Sequence, residues 1–281
     1  MADARAFLAA CVQMRSGIDR AQNITDALAL IADAAGKGAA FIATPEMTNV
    51  ADRNPKRLFG NLPEEDGLSE IAAFSEAAKQ HGVWLLIGSM AVKIGERRAA
   101  NRSFLFAPDG YIAARYDKIH MFDVDLPNGE SWKESNVYRP GDKAVLVRTP
   151  LAQIGLSICY DLRFARLYRE LARSGAEILC VPAAFTRQTG IAHWKTLLAA
   201  RAIENGAFVL APAQGGTHED GRETFGHSLI IGPWGEILAE AAGDEPGVVM
   251  AEIDPAAAHK ARRRIPNLAL EQSFEVSILS T

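Results

Sequence analysis

The hydrophobic residues of this chain follow two alternating patterns. Continuous apolar runs occupy residues 7–12 and 39–44, and the segment between them carries apolar residues three or four positions apart. These spaced residues are Ile18, Ala21, Ile24, Leu28, Ile31 and Ala35. A short apolar run is typical of a buried strand, whereas the three-to-four-residue repeat is typical of an amphipathic helix. The pattern predicts a strand, a helix that ends at Gly36 and a second strand.

The same alternation continues towards the C-terminus. Further strands are predicted at residues 84–90, 103–107, 145–148, 153–158, 178–181, 208–212, 228–231, 236–239 and 248–253. Further helices are predicted at about residues 68–81, after residue 161, at 192–204 and at 255–264. Helix–strand alternation that gives way to consecutive strands is typical of a layered α/β domain. We find no linker or repeat, and we therefore predict a single domain over residues 1–281, with a core of about 5–255 and a C-terminal tail of 256–281.

One long segment shows little periodicity. Residues 117–142 are polar, with several aromatic and charged side chains. Loops longer than ~15 residues are uncommon inside a compact domain and often carry function. We expect this segment to contribute to a functional site.

Composition and charge exclude several classes of protein. Of the 281 residues 48% are hydrophobic, which is too many for a disordered chain, and no apolar run approaches the ~18 residues that cross a bilayer. Thirty Lys and Arg residues against thirty-four Asp and Glu residues give a net charge of −4. Domains that bind nucleic acid are usually clearly basic. We therefore expect neither a nucleic-acid nor a membrane partner.

The chain contains three cysteines, Cys11, Cys159 and Cys180. An odd number without paired spacing favours a reducing compartment over a disulfide framework. The first apolar stretch is too short for a secretory signal. These observations predict a cytoplasmic protein.

Cys159 is the most informative of the three cysteines. It directly follows the apolar run at residues 154–158, and a helical face follows it, formed by Phe164, Leu167, Tyr168 and Leu171. With Asp161 as the predicted N-cap, the thiol would lie at a strand-to-helix elbow, where free N–H groups and the helix dipole favour a thiolate and an oxyanion. A buried, inert cysteine is an equally strong interpretation of the spacing. For Cys11 and Cys180, which lie inside strands, we predict the inert role.

A thiol nucleophile needs a base, and the chain offers two kinds. His193 would form a Cys–His pair, although it begins a predicted helix and no motif supports it. Glu46 follows the strand at 39–44 much as Cys159 follows its own strand. Active sites of open α/β sheets collect at the edge formed by the carboxyl ends of the strands. Spacing alone does not decide between the two bases.

Three motifs in order resemble those of the nitrilase, or carbon–nitrogen hydrolase, superfamily. They are Thr44-Pro45-Glu46-Met47, Tyr116-Asp117-Lys118-Ile119-His120 and Ser157-Ile158-Cys159-Tyr160-Asp161-Leu162-Arg163-Phe164. Residues 190–204, 226–228 and 233–235 extend the resemblance to about residues 5–265. It implies a four-layer αββα sandwich that forms a homodimer or higher homo-oligomer, with no cofactor and no metal.

The resemblance also assigns roles to individual residues. It implies that Cys159 attacks the carbonyl carbon, that Glu46 takes the thiol proton and later activates water, and that Lys118 stabilises the oxyanion. Glu134 matches a second glutamate that orients the lysine and the substrate amide. The backbone N–H of Tyr160 would complete the oxyanion hole.

Substrate contacts are predicted at four residues. Tyr160, Phe185 and Thr186 would line the pocket by resemblance, although core packing is an equal interpretation for Phe185. Arg163 either binds a substrate carboxylate, since a guanidinium matches it bidentately, or is a surface arginine. His218-Glu219-Asp220 lacks metal-ligand spacing and is predicted to be a solvated loop.

The residues around Cys159 indicate the type of reaction. Cys159-Tyr160-Asp161 resembles the amidase branch of the superfamily, whose substrates are small amides. Residues 213–219 and 222–228 resemble amidases that act on deaminated glutathione, whereas 118–125 resembles omega-amidases. We therefore expect hydrolysis of a small keto-acid amide through a Cys thioester. Deaminated glutathione is the favoured substrate, and α-ketoglutaramate or α-ketosuccinamate, with ammonia release, is the alternative.

Two departures from the family pattern affect these expectations. Ala165 stands where the family often has proline, which should move only the start of the helix. Residues 268–272 replace an arginine-rich tail, which leaves the predicted dimer contacts there open. A non-catalytic binding protein of the same fold is the remaining alternative, and the four motif residues Glu46, Lys118, Glu134 and Cys159 argue against it.

Overall fold

The computed structural model describes residues 6–127 and 129–279. The strands are β1 Phe7–Gln13, β2 Phe41–Ala43, β3 Trp84–Gly95, β4 Arg98–Phe106, β5 Ile112–Asp117, β6 Asp123–Asp125, β7 Ser131–Lys133, β8 Val145–Arg148, β9 Gln153–Leu156, β10 Ile178–Cys180, β11 Phe208–Ala211, β12 Gly215–Thr217, β13 Glu223–Phe225, β14 Leu229–Ile231, β15 Ile237–Glu240 and β16 Gly247–Ile253. The helices are α1 Arg20–Gly36, α2 Pro55–Asn61, α3 Ser69–His81, α4 Ala165–Arg173, α5 Arg187–Asn205 and α6 Pro255–Arg264. Three short 3-10 turns occupy Glu65–Gly67, Glu134–Asn136 and Cys159–Arg163.

Two six-stranded sheets form the centre of the fold, in the orders β16-β1-β2-β3-β4-β5 and β15-β14-β11-β10-β9-β8. In each sheet the three strands at the heart of the order, β1-β2-β3 and β9-β10-β11, run parallel. The flanking strands pair antiparallel. This mixed topology follows from helical crossovers early in each half and hairpin connections later.

The alternation of side chains along β1 shows how the layers pack. Ala9 and Cys11 join the core shared with the second sheet, whereas Ala10 and Val12 pack in the core beneath α1 and α3. Successive side chains of a strand point to opposite faces, so one strand contributes to both cores. With α4 and α5 on the outer face of the second sheet, the chain is a single αββα sandwich, as the sequence predicted.

Most predicted elements are confirmed, and several are extended. Helix α6 has the predicted bounds, and α3 ends at Gly82, whose φ of 65° is the left-handed conformation typical of a helix C-cap. Helix α5 begins at Arg187, five residues before the predicted start. Helix α2, strands β5, β6 and β7, and the hairpin β12–β13 were not predicted.

The residues predicted for the functional site follow strands of both sheets. The first sheet contributes the segments after β2 and β5, and the second contributes the segment after β9. Gly88 in β3 allows the segment after β2 to approach the segment after β10. A Cβ at this position would lie 2.0 Å from the carbonyl oxygen of Thr44, 2.4 Å from Cβ of Pro182 and 2.7 Å from the carbonyl oxygen of Pro45. Only glycine fits between the segment after β2 and the segment after β10.

Within the described residues, no helix is long and apolar enough to cross a membrane.

Candidate active site

A cavity of about 360 Å³ opens where the two sheets meet the segment at 117–142. All eight residues predicted for the site line it: Glu46, Lys118, Glu134, Cys159, Tyr160, Arg163, Phe185 and Thr186. Further lining residues include Met47, Val50, Arg53, Phe122, Trp132, Tyr138 and Arg222. The segment at 117–142, which the sequence marked as functional, therefore forms one wall of the cavity.

Cys159 occupies a sharp elbow, as predicted. Strand β9 ends at Leu156, and Cys159 begins a 3-10 turn with a φ of 48°, which is unusual for a residue other than glycine. Its backbone N–H donates to the carbonyl oxygen of Pro182 at 2.9 Å, which ties the elbow to the end of β10. Backbone strain of this kind persists only where surrounding contacts hold it.

Asp161 stabilises this elbow, but it is not the N-cap of the following helix. Helix α4 begins at Ala165 with Phe164 as its cap residue, because the five-residue 3-10 turn separates it from β9. The buried carboxylate instead accepts hydrogen bonds from Ile158 N at 2.9 Å, His120 N at 3.0 Å and Tyr116 Oη at 2.6 Å. The predicted cap is therefore wrong, and Asp161 links the elbow to the end of β5.

Glu46 lies beside the thiol. Its Oε1 accepts from Lys118 Nζ and from Asn101 Nδ2, each at 2.9 Å, and its Oε2 accepts from Ala184 N at 2.9 Å. It also forms a hydrogen bond with the Cys159 thiol. Of the two bases that the sequence left open, the carboxylate is the one in contact with the thiol. His193 is exposed on α5, where its Nδ1 lies 3.3 Å from Nη2 of Arg163.

Lys118 is almost completely buried between two carboxylates. Its side chain is 2% exposed, and its Nζ lies 2.9 Å from Glu46 Oε1 and 2.8 Å from Glu134 Oε2. Glu134 also accepts the backbone N–H of Phe122 at 2.6 Å. This arrangement fixes the ammonium next to the thiol, since both of its counter-charges are themselves held by backbone or side-chain donors.

Asn101 completes the cluster, and the sequence motifs did not indicate it. It lies in the buried strand β4, and its Nδ2 donates to Glu46 at 2.9 Å and to Glu134 at 3.1 Å. Among the described residues, its Oδ1 is buried without a hydrogen-bond partner. Its strand also contains Arg98, Arg102 and Ser103, so its polarity alone gave no signal in the sequence.

Burial and neighbouring charges set the protonation states. Burial opposes ionisation of Glu46, but the Lys118 charge and the hydrogen bonds from Lys118, Cys159 and Asn101 hold its pKa below the ordinary value. Burial, and then the charge of Glu46, raises the pKa of the Cys159 thiol well above its ordinary value. Burial disfavours the charged lysine, but Glu134 and Glu46 raise the pKa of Lys118 well above its ordinary value.

At neutral pH the cluster therefore holds a protonated thiol beside an ionised carboxylate and an ammonium. This differs from the thiolate that the elbow alone favours, because burial and then the negative charge of Glu46 raise the thiol pKa and outweigh the short helical turn. A thiol, a base in contact with it and a cation at the reacting centre are the groups that covalent amide hydrolysis needs.

The remaining predicted residues form an aromatic wall. Phe122 packs edge-on against Tyr160 at 5.1 Å, and Arg163 lies over Tyr160 at 5.9 Å and over Phe185 at 5.5 Å, measured to the ring centroids. Arg163 is half-buried on the 3-10 turn and lines the cavity, so it is not a solvated surface arginine. Phe185 also packs against Trp194 of α5, which means that it serves both the core and the cavity.

The loop at residues 218–220 is only partly solvated: Glu219 is exposed, whereas His218 is buried, contrary to the prediction. The imidazole is buried, with Nδ1 at 2.7 Å from the carbonyl oxygen of Ser16 and Nε2 at 2.7 Å from Thr224 Oγ1. The hairpin β12–β13 folds this segment onto the body of the protein. Over residues 6–127 and 129–279, no group of three or more His, Cys, Asp or Glu side chains is arranged to hold a metal ion.

Comparison with known proteins places this site in a family. Residues 8–263 match the carbon-nitrogen hydrolase family. The chain is 42% identical over 272 residues to a deaminated glutathione amidase of Synechocystis sp., which covers 93% of this chain and 97% of that protein. It is 34% identical over 260 residues to the omega-amidase NIT2 of Homo sapiens, which covers 92% of this chain and 93% of that protein.

Solved structures support the same fold. The C. elegans NitFhit protein superposes with a TM-score of 0.89 at 32% identity, over 97% of this chain and 66% of that one. A carbon-nitrogen hydrolase from Helicobacter pylori G27 superposes with a TM-score of 0.84 at 26% identity, over 96% of each chain.

The protein is thus a hydrolase of carbon–nitrogen bonds other than peptide bonds, and the chain belongs to the carbon-nitrogen hydrolase family. The resemblance found in the sequence motifs is confirmed. Its relatives include amidases, which are enzymes that act on small-molecule amides.

Proposed function

We propose that the protein hydrolyses the ω-amide of a small keto acid through a thioester on Cys159, and that deaminated glutathione is its substrate. The observation that carries this proposal is the buried cluster of Cys159, Glu46, Lys118 and Glu134 in one cavity. An amide is a poor electrophile with a poor leaving group, and a covalent intermediate divides the reaction into two easier steps.

Acylation begins with the thiol protonated. The Glu46 carboxylate removes the thiol proton as sulfur attacks the carbonyl carbon, and the carbonyl electron pair moves onto oxygen. The Lys118 ammonium and the Tyr160 N–H, near the start of a helical turn, stabilise that oxyanion. When the tetrahedral intermediate collapses, the C–N bond breaks and Glu46 gives its proton to the departing amine.

Deacylation uses the same carboxylate in reverse order. Glu46 removes a proton from water as the water oxygen attacks the thioester carbon. The C–S bond then breaks, the sulfur recovers the proton from Glu46, and the carboxylic acid is released. A base whose pKa is held low by Lys118 remains ionised at neutral pH and is ready for each half of this cycle.

The choice of substrate rests on the relatives and on two segments of the chain. A deaminated glutathione amidase shares 42% identity with this chain, and residues 213–219 and 222–228 resemble that type. Omega-amidase activity is the second candidate, because a human omega-amidase shares 34% identity and residues 118–125 resemble that type. The two reactions differ in the leaving group, which is cysteinylglycine in the first and ammonia in the second.

One assay distinguishes these possibilities. We expect release of cysteinylglycine from deaminated glutathione with a higher kcat/KM than release of ammonia from α-ketoglutaramate, and no turnover of either by Cys159→Ala. A preference for α-ketoglutaramate would favour omega-amidase. Equal turnover by the wild type and by Cys159→Ala would refute the thioester mechanism, and no turnover of any amide would favour a non-catalytic binding protein.

We also propose that the protein forms a homodimer. Ile203 and Trp234 are each 55% exposed, Ile203 packs against the position of Gly235, and Arg264 lies over the Trp234 ring at 6.0 Å. An exposed apolar patch of this kind is typical of a protein interface. Light scattering that gives twice the chain mass would support the dimer, and the monomer mass would refute it.

We also propose a cytoplasmic location and a division of the chain into a core and a C-terminal tail. The three cysteines are buried and unpaired, which supports a reducing, cytoplasmic location. The division into a core of about 5–255 and a tail of 256–281 is best tested by limited proteolysis, in which we expect cleavage after α6 before cleavage of the core.

A further inference from the structure

A tryptophan at the cavity wall lies between two guanidinium groups. Arg53 is centred 4.3 Å and Arg222 5.0 Å from the centroid of the Trp132 ring. Arg53 is exposed to solvent, whereas the side chain of Arg222 is only 14% exposed. Both arginines line the cavity. Two guanidinium groups therefore lie at this end of the cavity, where Asp220 pairs with Arg222 and Asp52 also lines the wall. The catalytic steps proposed above use neither arginine.

The hydrogen bonds of Arg222 leave it incompletely satisfied. Its Nη2 lies 3.4 Å from Oδ2 of Asp220, which is a long contact. Its Nε is buried and, among the described residues, has no hydrogen-bond partner. An unsatisfied buried donor costs free energy, and a charged one costs more than a neutral one. Nε is enclosed by protein, so an anionic ligand in the cavity would approach the terminal Nη groups, whose N–H donors match a carboxylate.

Arg222 and Arg163 stand at opposite ends of a row of aromatic rings. Trp132 packs against Phe122 at 6.0 Å, and Phe122 packs against Tyr160 at 5.1 Å. Arg222 lies over Trp132 at one end of the row, and Arg163 lies over Tyr160 at the other. The cavity thus offers two separate positions for anions, one at each end of the row.

The reaction assigns each end to one half of the substrate. Glu46 must protonate the departing amine, so the amine half lies towards Glu46 and its neighbour Glu134. Glu134 accepts the backbone N–H of Phe122 at 2.6 Å and belongs to the same short segment as Trp132. On this basis we assign the amine half to the end of the row with Trp132 and Arg222. The acyl half extends towards the turn that carries Arg163, four residues after the nucleophile.

We propose that Arg222, stacked on Trp132, binds a carboxylate carried by the amine half of the substrate and is a specificity-determining residue. This inference rests on the proposed amidase function. It predicts that the enzyme distinguishes amides by the charge at the far end of the leaving group. An amide that releases ammonia has no such group and does not benefit from Arg222.

Three substrates with the same α-ketoglutaryl acyl group test this proposal. Their leaving groups are cysteinylglycine, cysteinylglycinamide, which lacks the terminal carboxylate, and ammonia. For the wild type, we expect kcat/KM to be about 10- to 100-fold higher for the substrate that releases cysteinylglycine than for the one that releases cysteinylglycinamide. This is the range of one lost charge-assisted hydrogen bond. We expect Arg222→Gln to abolish this ratio, because kcat/KM falls more for the cysteinylglycine leaving group than for the other two. The matched control is Arg97→Gln, on the exposed β3–β4 hairpin, which should preserve the ratio.

The outcomes separate this proposal from the proposed function. Absence of turnover of all three amides by the wild type would refute the amidase function itself. Turnover of all three with no preference for the carboxylate would overturn the role of Arg222, and this comparison needs no variant. A loss that is equal for all three substrates in Arg222→Gln, with unchanged thermal unfolding, would overturn it as well. If Arg163→Gln rather than Arg222→Gln abolished the preference for cysteinylglycine over cysteinylglycinamide as the leaving group, the assignment of the two ends would be reversed.

Discussion

Lys118 is the sole cation in contact with both Glu46 and Glu134 among the described residues, and its replacement by methionine tests the electrostatics of the site. In Lys118→Met the two carboxylates lose their counter-charge but remain bridged by Asn101 Nδ2, which lies 2.9 Å from one and 3.1 Å from the other. Removing one partner of a buried ion pair typically costs about 3–5 kcal/mol, because a buried charge is left uncompensated. For a chain of this size, that corresponds to a fall in Tm of about 5–9 °C.

The sign of the pH dependence is the sharper part of this prediction. In the wild type the pKa of Glu46 is lowered below its ordinary value of about 4.5, so its contribution to stability is present above that pH and is lost as the pH falls further. In Lys118→Met, the carboxylates of Glu46 and Glu134 repel each other without a cation between them, and this repulsion raises the pKa of one of them. A raised carboxyl pKa stabilises the fold at low pH and loses that contribution as the pH rises. The loss in free energy of unfolding of Lys118→Met, relative to the wild type, should therefore be large at about pH 7.5 and smaller at about pH 5.

Thermal unfolding followed by circular dichroism at these two pH values measures the effect. The matched control is Lys37→Met, which removes an exposed pair with Asp33 and should cost no more than about 0.5 kcal/mol at either pH. If Lys118→Met lost the same amount of stability at both pH values, or no more than the control, the electrostatic reasoning would be wrong. Activity should fall by at least about 100-fold, since the oxyanion loses its cation.

The remaining predictions concern the base and the contact between the two sheets. In Glu46→Gln, we expect acylation to fall by about 10²- to 10⁴-fold while the fold survives, because the amide still accepts from Lys118 and Asn101. Rapid formation of the acyl-enzyme in stopped-flow experiments would contradict the assignment of the base. In Gly88→Ala, the new methyl group would lie 2.0 Å from the carbonyl oxygen of Thr44, so we expect a loss of at least about 2 kcal/mol in chemical unfolding together with reduced kcat. Unchanged stability would show that the segments after β2 and β10 are free to separate.

The elbow at Cys159 illustrates what the sequence could predict. The apolar run of β9 and the helical spacing of α4 are local patterns, and they placed Cys159 correctly at a sharp turn between them. The contact between Glu46 and Cys159 is not local, since β2 and β9 belong to different sheets. Strand-end reasoning made Glu46 a candidate, and only the family motifs paired it with the thiol.

The residues that were missed depend on tertiary contacts. Asn101 is one polar residue in a strand, and its importance arises from two glutamates distant in sequence. Strands β6 and β7 have three residues each and are stabilised by pairing with each other, which a hydrophobic pattern does not show. Helix α2 carried a usable signal, because Asn54 caps it and Pro55 occupies its first turn.

All three thiols are buried, but they differ in their access from the cavity, and this difference has a practical consequence. Cys11 and Cys180 are completely buried between strands, and burial raises the pKa of both thiols. Cys159 alone of the three lines the cavity. In the native protein, an alkylating reagent small enough to enter should consume one equivalent per folded chain, whereas the unfolded protein should consume three. The number of thiols alkylated per chain would therefore measure the folded fraction of a preparation. By the same access, Cys159 is the thiol of the three that we expect peroxide in the cavity to oxidise.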